Sequence, residues 1–192
     1  MKKFFCAIFS VFLLVLSCFS AELPVLQDEI KFPDAVIECG KYHIIKFPPM
    51  PARRGKRAVM RFELVAKTPA RGGCGFSAKV SVNSYTLTRW TSDKRERMIG
   101  RAGTLKLKGH GNRDFNIFKD RMLLVMFAPD AVAGNSMSQD GLGATYMVEI
   151  SDMLYKDAFN TATFHNLRQP VPGGKAELIL TNAAVGWLDM PG

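Results

Sequence analysis

The chain has 192 residues, 47% of them apolar and 22% charged, with a formal net charge of +9. That composition excludes a disordered or collagen-like chain and suits one globular domain of about 170 residues once a leader is removed. Three scattered histidines (His43, His110, His165) and the two cysteines outside the leader, Cys39 and Cys74, show no zinc-ligand spacing.

Met1-Lys2-Lys3, an apolar run from Phe4 to Leu16 and the small-residue exit Ser17-Cys18-Phe19-Ser20-Ala21 stand in the order of a secretion signal, with cleavage expected after Ser20. The apolar run is shorter than the roughly 20 residues that a membrane-spanning helix needs. A secreted or periplasmic protein is therefore expected, with no transmembrane segment after cleavage. Val15-Leu16-Ser17-Cys18 also resembles a lipobox, so a lipoprotein anchored through Cys18 is the alternative. Losing residues 1–20 removes Cys6 and Cys18 and leaves Cys39 and Cys74, an even pair that an exported protein usually oxidises. Their disulfide would close a loop of about 35 residues, worth roughly 3–4 kcal/mol. Two separate reduced cysteines are the other reading.

Residues 21–40 mix acids, prolines and single apolar residues and read as an extended lead-in; residues 41–192 read as one β-sandwich domain. Lys41 to Phe47 is strand-like and is ended by Pro48-Pro49. From Ala58 to Ala66, Met60, Phe62 and Leu64 alternate with Arg61 and Glu63, the period of two that marks a sheet with one face on a core. Phe76, Ala78, Val80 and Val82 alternate in the same way, up to a turn at Asn83-Ser84, and Tyr85 to Thr88 resumes the strand. Thr91 to Gly103 is polar and basic and reads as a loop. Strands are expected again at Thr104–Lys108, Arg121–Phe127, Ala144–Ile150, Asn160–Asn166 and Lys175–Val185. Ser151-Asp152-Met153-Leu154 opens a short helical turn capped by Ser151 or Asp152. Short strands separated by turns, with no long amphipathic helix, give an all-β antiparallel sandwich.

Three segments carry a resemblance: "RAVMRFE" at Arg57–Glu63, "KVSVNSYTL" at Lys79–Leu87 and "TYMVEISDMLYKDAFNTATFHN" at Thr145–Asn166. Their order resembles galactose-binding-like jelly rolls, the domains of many carbohydrate-binding modules and of accessory domains on glycoside hydrolases. The resemblance implies a jelly-roll sandwich and a carbohydrate ligand. It rests on packing and turn residues, with Ser84 where the family pattern has glycine after Asn83, and Asp157-Ala158-Phe159 where a glycine precedes Asn160. Asn83 and Asn160 have structural readings of their own, as a left-handed turn residue and as a tie between a strand and the turn before it.

No nucleophile elbow, H-E-x-x-H or calcium-loop motif is present, and no catalytic residue is assigned. Acids at Glu63, Asp114, Asp120, Asp130 and Glu149 are not paired by the sequence, and Glu63 and Glu149 fall on outward strand positions where they are expected to be solvated. His110 beside Arg113 reads as part of a Gly-rich loop. Structural calcium occurs in many domains of the resembling class, and the oxygens of Asn135–Asp140 leave it open; no other cofactor is implied.

A binding module needs an aromatic platform and planar polar groups. Tyr85 and Trp90 lie beside Arg89, Lys94, Arg95 and Arg97, combining stacking surface with anion-binding donors. From Arg53 to Arg121 the chain has 18 Lys or Arg against 5 Asp or Glu; from Met122 to the end it has 3 against 7. That asymmetry points to an acidic polysaccharide or a cell-surface glycan, and export argues against nucleic acid. The expectation is an exported, non-catalytic carbohydrate-binding module. The alternatives are a structural or protein-interaction domain at the cell surface, or an accessory fragment of a glycoside hydrolase or polysaccharide lyase.

Overall fold

The computed structural model describes residues 23–67, 74–102, 105–106, 114–115, 117–118, 123–128, 144–169 and 176–190, with backbone alone for 74–76 and for 105–128. The signal-like residues 1–20, the His110–Arg113 loop and the Asn135–Asp140 loop lie outside the described residues. Fourteen strands are described: β1 (Gln27–Lys31), β2 (Ala35–Ile37), β3 (Tyr42–Phe47), β4 (Lys56–Lys67), β5 (Cys74–Val82), β6 (Tyr85–Thr86), β7 (Met98–Ala102), β8 (Leu105–Lys106), β9 (Asp114–Phe115), β10 (Ile117–Phe118), β11 (Leu123–Ala128), β12 (Ala144–Glu149), β13 (Asn160–Asn166) and β14 (Glu177–Asp189). One 3-10 turn, Ser151–Met153, follows β12.

The strands form two antiparallel sheets, as the alternating patterns imply. The first runs β1-β14-β4-β12-β7 with β2 also on β14; the second runs β10-β11-β5-β13-β3 with β6 on β5. The strand β8 pairs with β9 apart from both. Between the sheets, Phe62 of β4 stacks on Tyr146 of β12 at 5.3 Å and meets Phe164 of β13 edge-on at 5.1 Å. Met60, Leu64, Val80, Val82, Val148, Leu178 and Leu180 complete this core, in which Trp187 is also buried. Burying such side chains contributes about 1.5–3 kcal/mol each and is what holds the layers together.

The lead-in is part of the sandwich. Its strands β1 and β2 both pair with β14. Ahead of them, Leu23 and Leu26 cross the outer face of the first sheet and close a second apolar cluster with Val59, Met147, Leu188 and Ile99. Gly186 leaves room for the crossing: a Cβ there would lie 2.8 Å from the Gln27 carbonyl oxygen and 2.9 Å from Leu26 Cβ. The stretch read as a loop from Thr91 to Gly103 ends in β7, which pairs with β12. Neither Ser151 nor Asp152 caps the 3-10 turn, whose N-cap position is Ile150. Instead the Ser151 hydroxyl accepts the Ala58 N–H at 2.9 Å.

Cys39 is a free thiol that donates to the Ala176 carbonyl at 3.0 Å. The strand β5 begins at Cys74, whose side chain lies outside the described ones.

Among the described residues no helix is long and apolar enough to cross a membrane.

Candidate functional site

A groove of about 340 Å³ opens at one end of the sandwich, lined by Tyr85, Thr86, Thr88, Trp90, Thr91, Ser92, Arg97, Asp152 and Met153. Three pieces of chain shape it: the β5–β6 hairpin, the loop from Thr88 to Arg97, and the 3-10 turn.

The hairpin turns at Asn83-Ser84, where φ is +49° and +68°. Two successive positive φ values match the twist of paired strands, and asparagine tolerates them better than most residues. Asn83 also fixes the neighbouring turn. Its amide donates to the Met153 carbonyl and to Asn160 Oδ1, each at 2.7 Å, and its own oxygen accepts the Thr161 N–H at 2.8 Å. Asn160 in turn accepts the Tyr155 N–H at 2.7 Å and donates to the Pro48 carbonyl at 3.2 Å. Both buried amides thus hold strands to turns, the structural role the sequence offers.

The second piece is a tight hairpin. Trp90 bridges to Glu96, the Thr91 N–H donates to the Arg95 carbonyl at 2.8 Å, and Lys94 adopts φ +65°. Thr91 is buried, and its hydroxyl bonds Asp93 and accepts the Arg95 N–H at 2.9 Å. Trp90 stays 49% exposed and Tyr85 62% exposed. The Arg89 guanidinium lies 4.9 Å from the centroid of the Trp90 ring.

Arg97 pins this hairpin to the third piece. Only 3% exposed, it donates Nη1 to Asp152 Oδ1 at 2.6 Å and Nη2 to Asp152 Oδ2 at 2.8 Å. Its Nε donates to the Trp90 carbonyl and Nη1 again to the Glu149 carbonyl, both at 3.1 Å. The Ser92 N–H adds a bond to Asp152 Oδ2 at 2.9 Å. Burial pushes the Asp152 carboxyl up, but Arg97 and the Ser92 N–H outweigh it and hold its pKa down at about 2.

Of the six residues expected to bind, Tyr85, Trp90 and Arg97 line the groove, while Arg89, Lys94 and Arg95 do not. The arginines are engaged internally. Arg89 pairs with Glu96 at 3.4 Å, and Arg95 with Asp93 at 2.6 Å and Glu149 at 2.9 Å. With Arg97 on Asp152, the three arginines of the loop therefore face four carboxylates. Glu149 is fully buried, which corrects its reading as a solvated acid: it faces Arg95 on the outer side of the first sheet. Glu63 is half-buried and accepts from Asn182 at 2.9 Å and Thr181 at 3.2 Å. Sequence reasoning missed Asp152 and the hydroxyls of Thr86, Thr88 and Ser92. In the sequence Asp152 carries no signal beyond its place in the turn that follows β12.

Among the described residues no group of three or more His, Cys, Asp or Glu could hold a metal ion. In comparisons with known proteins, the chain matches no family model, no curated protein and no solved structure.

Proposed function

We propose that this chain is an exported glycan-binding domain of the jelly-roll kind, and that the groove beside Trp90 and Tyr85 seats a sugar ring. The observation that carries this reading is the pair of half-exposed aromatic rings flanking a groove edged by Ser and Thr hydroxyls. Leaving two large rings in water forgoes burial free energy, and a sugar's C–H face recovers it by stacking. Arg89 lies over the Trp90 ring, 4.9 Å from its centroid. The hydroxyls both donate and accept, matching sugar hydroxyls. Asp152 supports binding over hydrolysis. Among the described residues it is the one carboxylate lining the groove, and a pKa of about 2 keeps it ionised, so it has no proton to give at neutral pH. Export rests on the signal-like start of the chain.

Titration calorimetry against a panel of neutral oligosaccharides tests the proposal. Trp90→Ala is expected to weaken binding by about tenfold, the scale of one lost stacking contact with its buried area, with an unchanged unfolding midpoint. Undiminished binding in Trp90→Ala, or no binding of any oligosaccharide by the unaltered protein, rejects the groove as a sugar site.

A further inference from the structure

We infer a second binding surface, on the outer face of the second sheet, that takes an anionic polysaccharide chain. It rests on the groove reading in one respect only: the face runs into the groove.

Cross-strand register sets the composition of this face, because directly opposed residues project to the same side. Ile45 and Phe47 of β3, Phe164 of β13 and Val80 of β5 are buried. Their neighbours therefore face outward. Ile44 stands opposite Thr163, Thr163 opposite Ser81, and Ser81 opposite Thr86. Thr86 also lines the groove, so this row leads from β3 to Trp90 and Tyr85. On either side of the row stands a lysine: Lys46 opposite Thr161, and Lys79 opposite His165.

The charge on this face differs in kind from that of the arginine loop. The strands β3, β5, β6 and β13 place no Asp or Glu outward among the described residues. Lys46 and Lys79 are exposed, and neither forms an ion pair among the described residues; Lys46 lies over the Phe159 ring at 4.6 Å. Each arginine beside the groove has a carboxylate partner. Attraction for an outside anion is therefore stronger at the two lysines than at the loop's arginines. From strand spacing and rise, the two lysine positions are roughly 15 Å apart. An extended polyanion meets both where a small anion meets one. The Ser and Thr row between them offers donors and acceptors to ring hydroxyls, which favours a polyuronate over a lipid surface.

The test compares binding of polygalacturonate, uncharged dextran and phosphatidylglycerol vesicles by the full chain at low and high salt. Polygalacturonate binding is expected to fall about tenfold in Lys46→Gln/Lys79→Gln and to lose most of its salt dependence, with the unfolding midpoint unchanged. Trp90→Ala is expected to leave the salt dependence in place. Three results each overturn the inference: no polygalacturonate binding, equal binding by the double variant, or vesicles captured as strongly as polygalacturonate. The groove reading fails separately, through neutral sugars and Trp90→Ala.

Discussion

Asp152→Ala should destabilise the whole end of the sandwich that carries the groove. The change removes both bonds that Asp152 accepts from Arg97 and the one it accepts from the Ser92 N–H. Arg97 is left almost fully buried, with only the Trp90 and Glu149 carbonyls as partners. Breaking a fully buried pair from one side costs about 3–5 kcal/mol. The Asp152 side chain is 24% exposed, so water enters and the expected loss is nearer about 2–3 kcal/mol. For a domain of this size that lowers the melting temperature by roughly 5–10 °C. Urea unfolding at pH 7 reads it directly. The acid limb gives an independent check. Because the folded pKa, about 2, lies below the ordinary 3.8, the stabilisation is complete above about pH 4 and disappears as pH falls through about 2. Its size is of order 1 kcal/mol after allowance for solvent screening. Asp152→Ala should lose that part of the acid dependence. A loss under about 0.5 kcal/mol, the range of an ordinary surface change, would show that Arg97 does not depend on Asp152 and would refute the pinning argument.

Ser84→Gly should raise stability by about 0.5–1 kcal/mol, because serine at φ +68° bears a left-handed cost that glycine avoids; a urea midpoint that fails to rise counts against the turn assignment. Gly186→Ala should cost about 1–3 kcal/mol by driving a methyl into the Leu26 and Gln27 crossing. Hydrogen exchange should then speed up at residues 23–31 before the rest of the sandwich, and uniform exchange would refute the close approach.

The strands with strict alternation are legible in the chain because one face of each meets the core. In β13 every second residue from Asn160 to Asn166 is buried, and β4 alternates in the same way from Met60 to Ala66, whereas in β12 every residue but Thr145 is buried. The strands β1, β2 and β7 are not legible. Gln27-Asp28-Glu29-Ile30-Lys31 has no apolar face and is a strand because β14 pairs with it, as β12 does with β7. Glu149 misleads for a related reason. Period two places it outward, and outward means solvated only on an uncovered face. Here the Leu23–Leu26 crossing and the Arg95 side chain cover the first sheet. At the groove, Trp90 and Tyr85 are legible as aromatics beside a basic run, whereas the pairing of Arg95 and Arg97 with acids more than fifty residues later is a product of tertiary folding.

The charge asymmetry along the chain has a different meaning in space. The basic middle faces acids from both ends: Arg53 meets Asp28, Arg61 meets Glu29, Lys56 meets Asp189, and Arg95 and Arg97 meet Glu149 and Asp152. Antiparallel pairing of β14 and β12 with β4, together with the lead-in, brings these opposites together. A run of like charge in sequence therefore predicts a field only where folding leaves it without a counter-charge. The loop's arginines fail that condition; Lys79 within the run satisfies it, as does Lys46 ahead of it. The loop's arginines act as fasteners around the half-exposed Trp90, and under the proposed glycan reading, selection between neutral and acidic ligands would fall to the sheet face beside the groove.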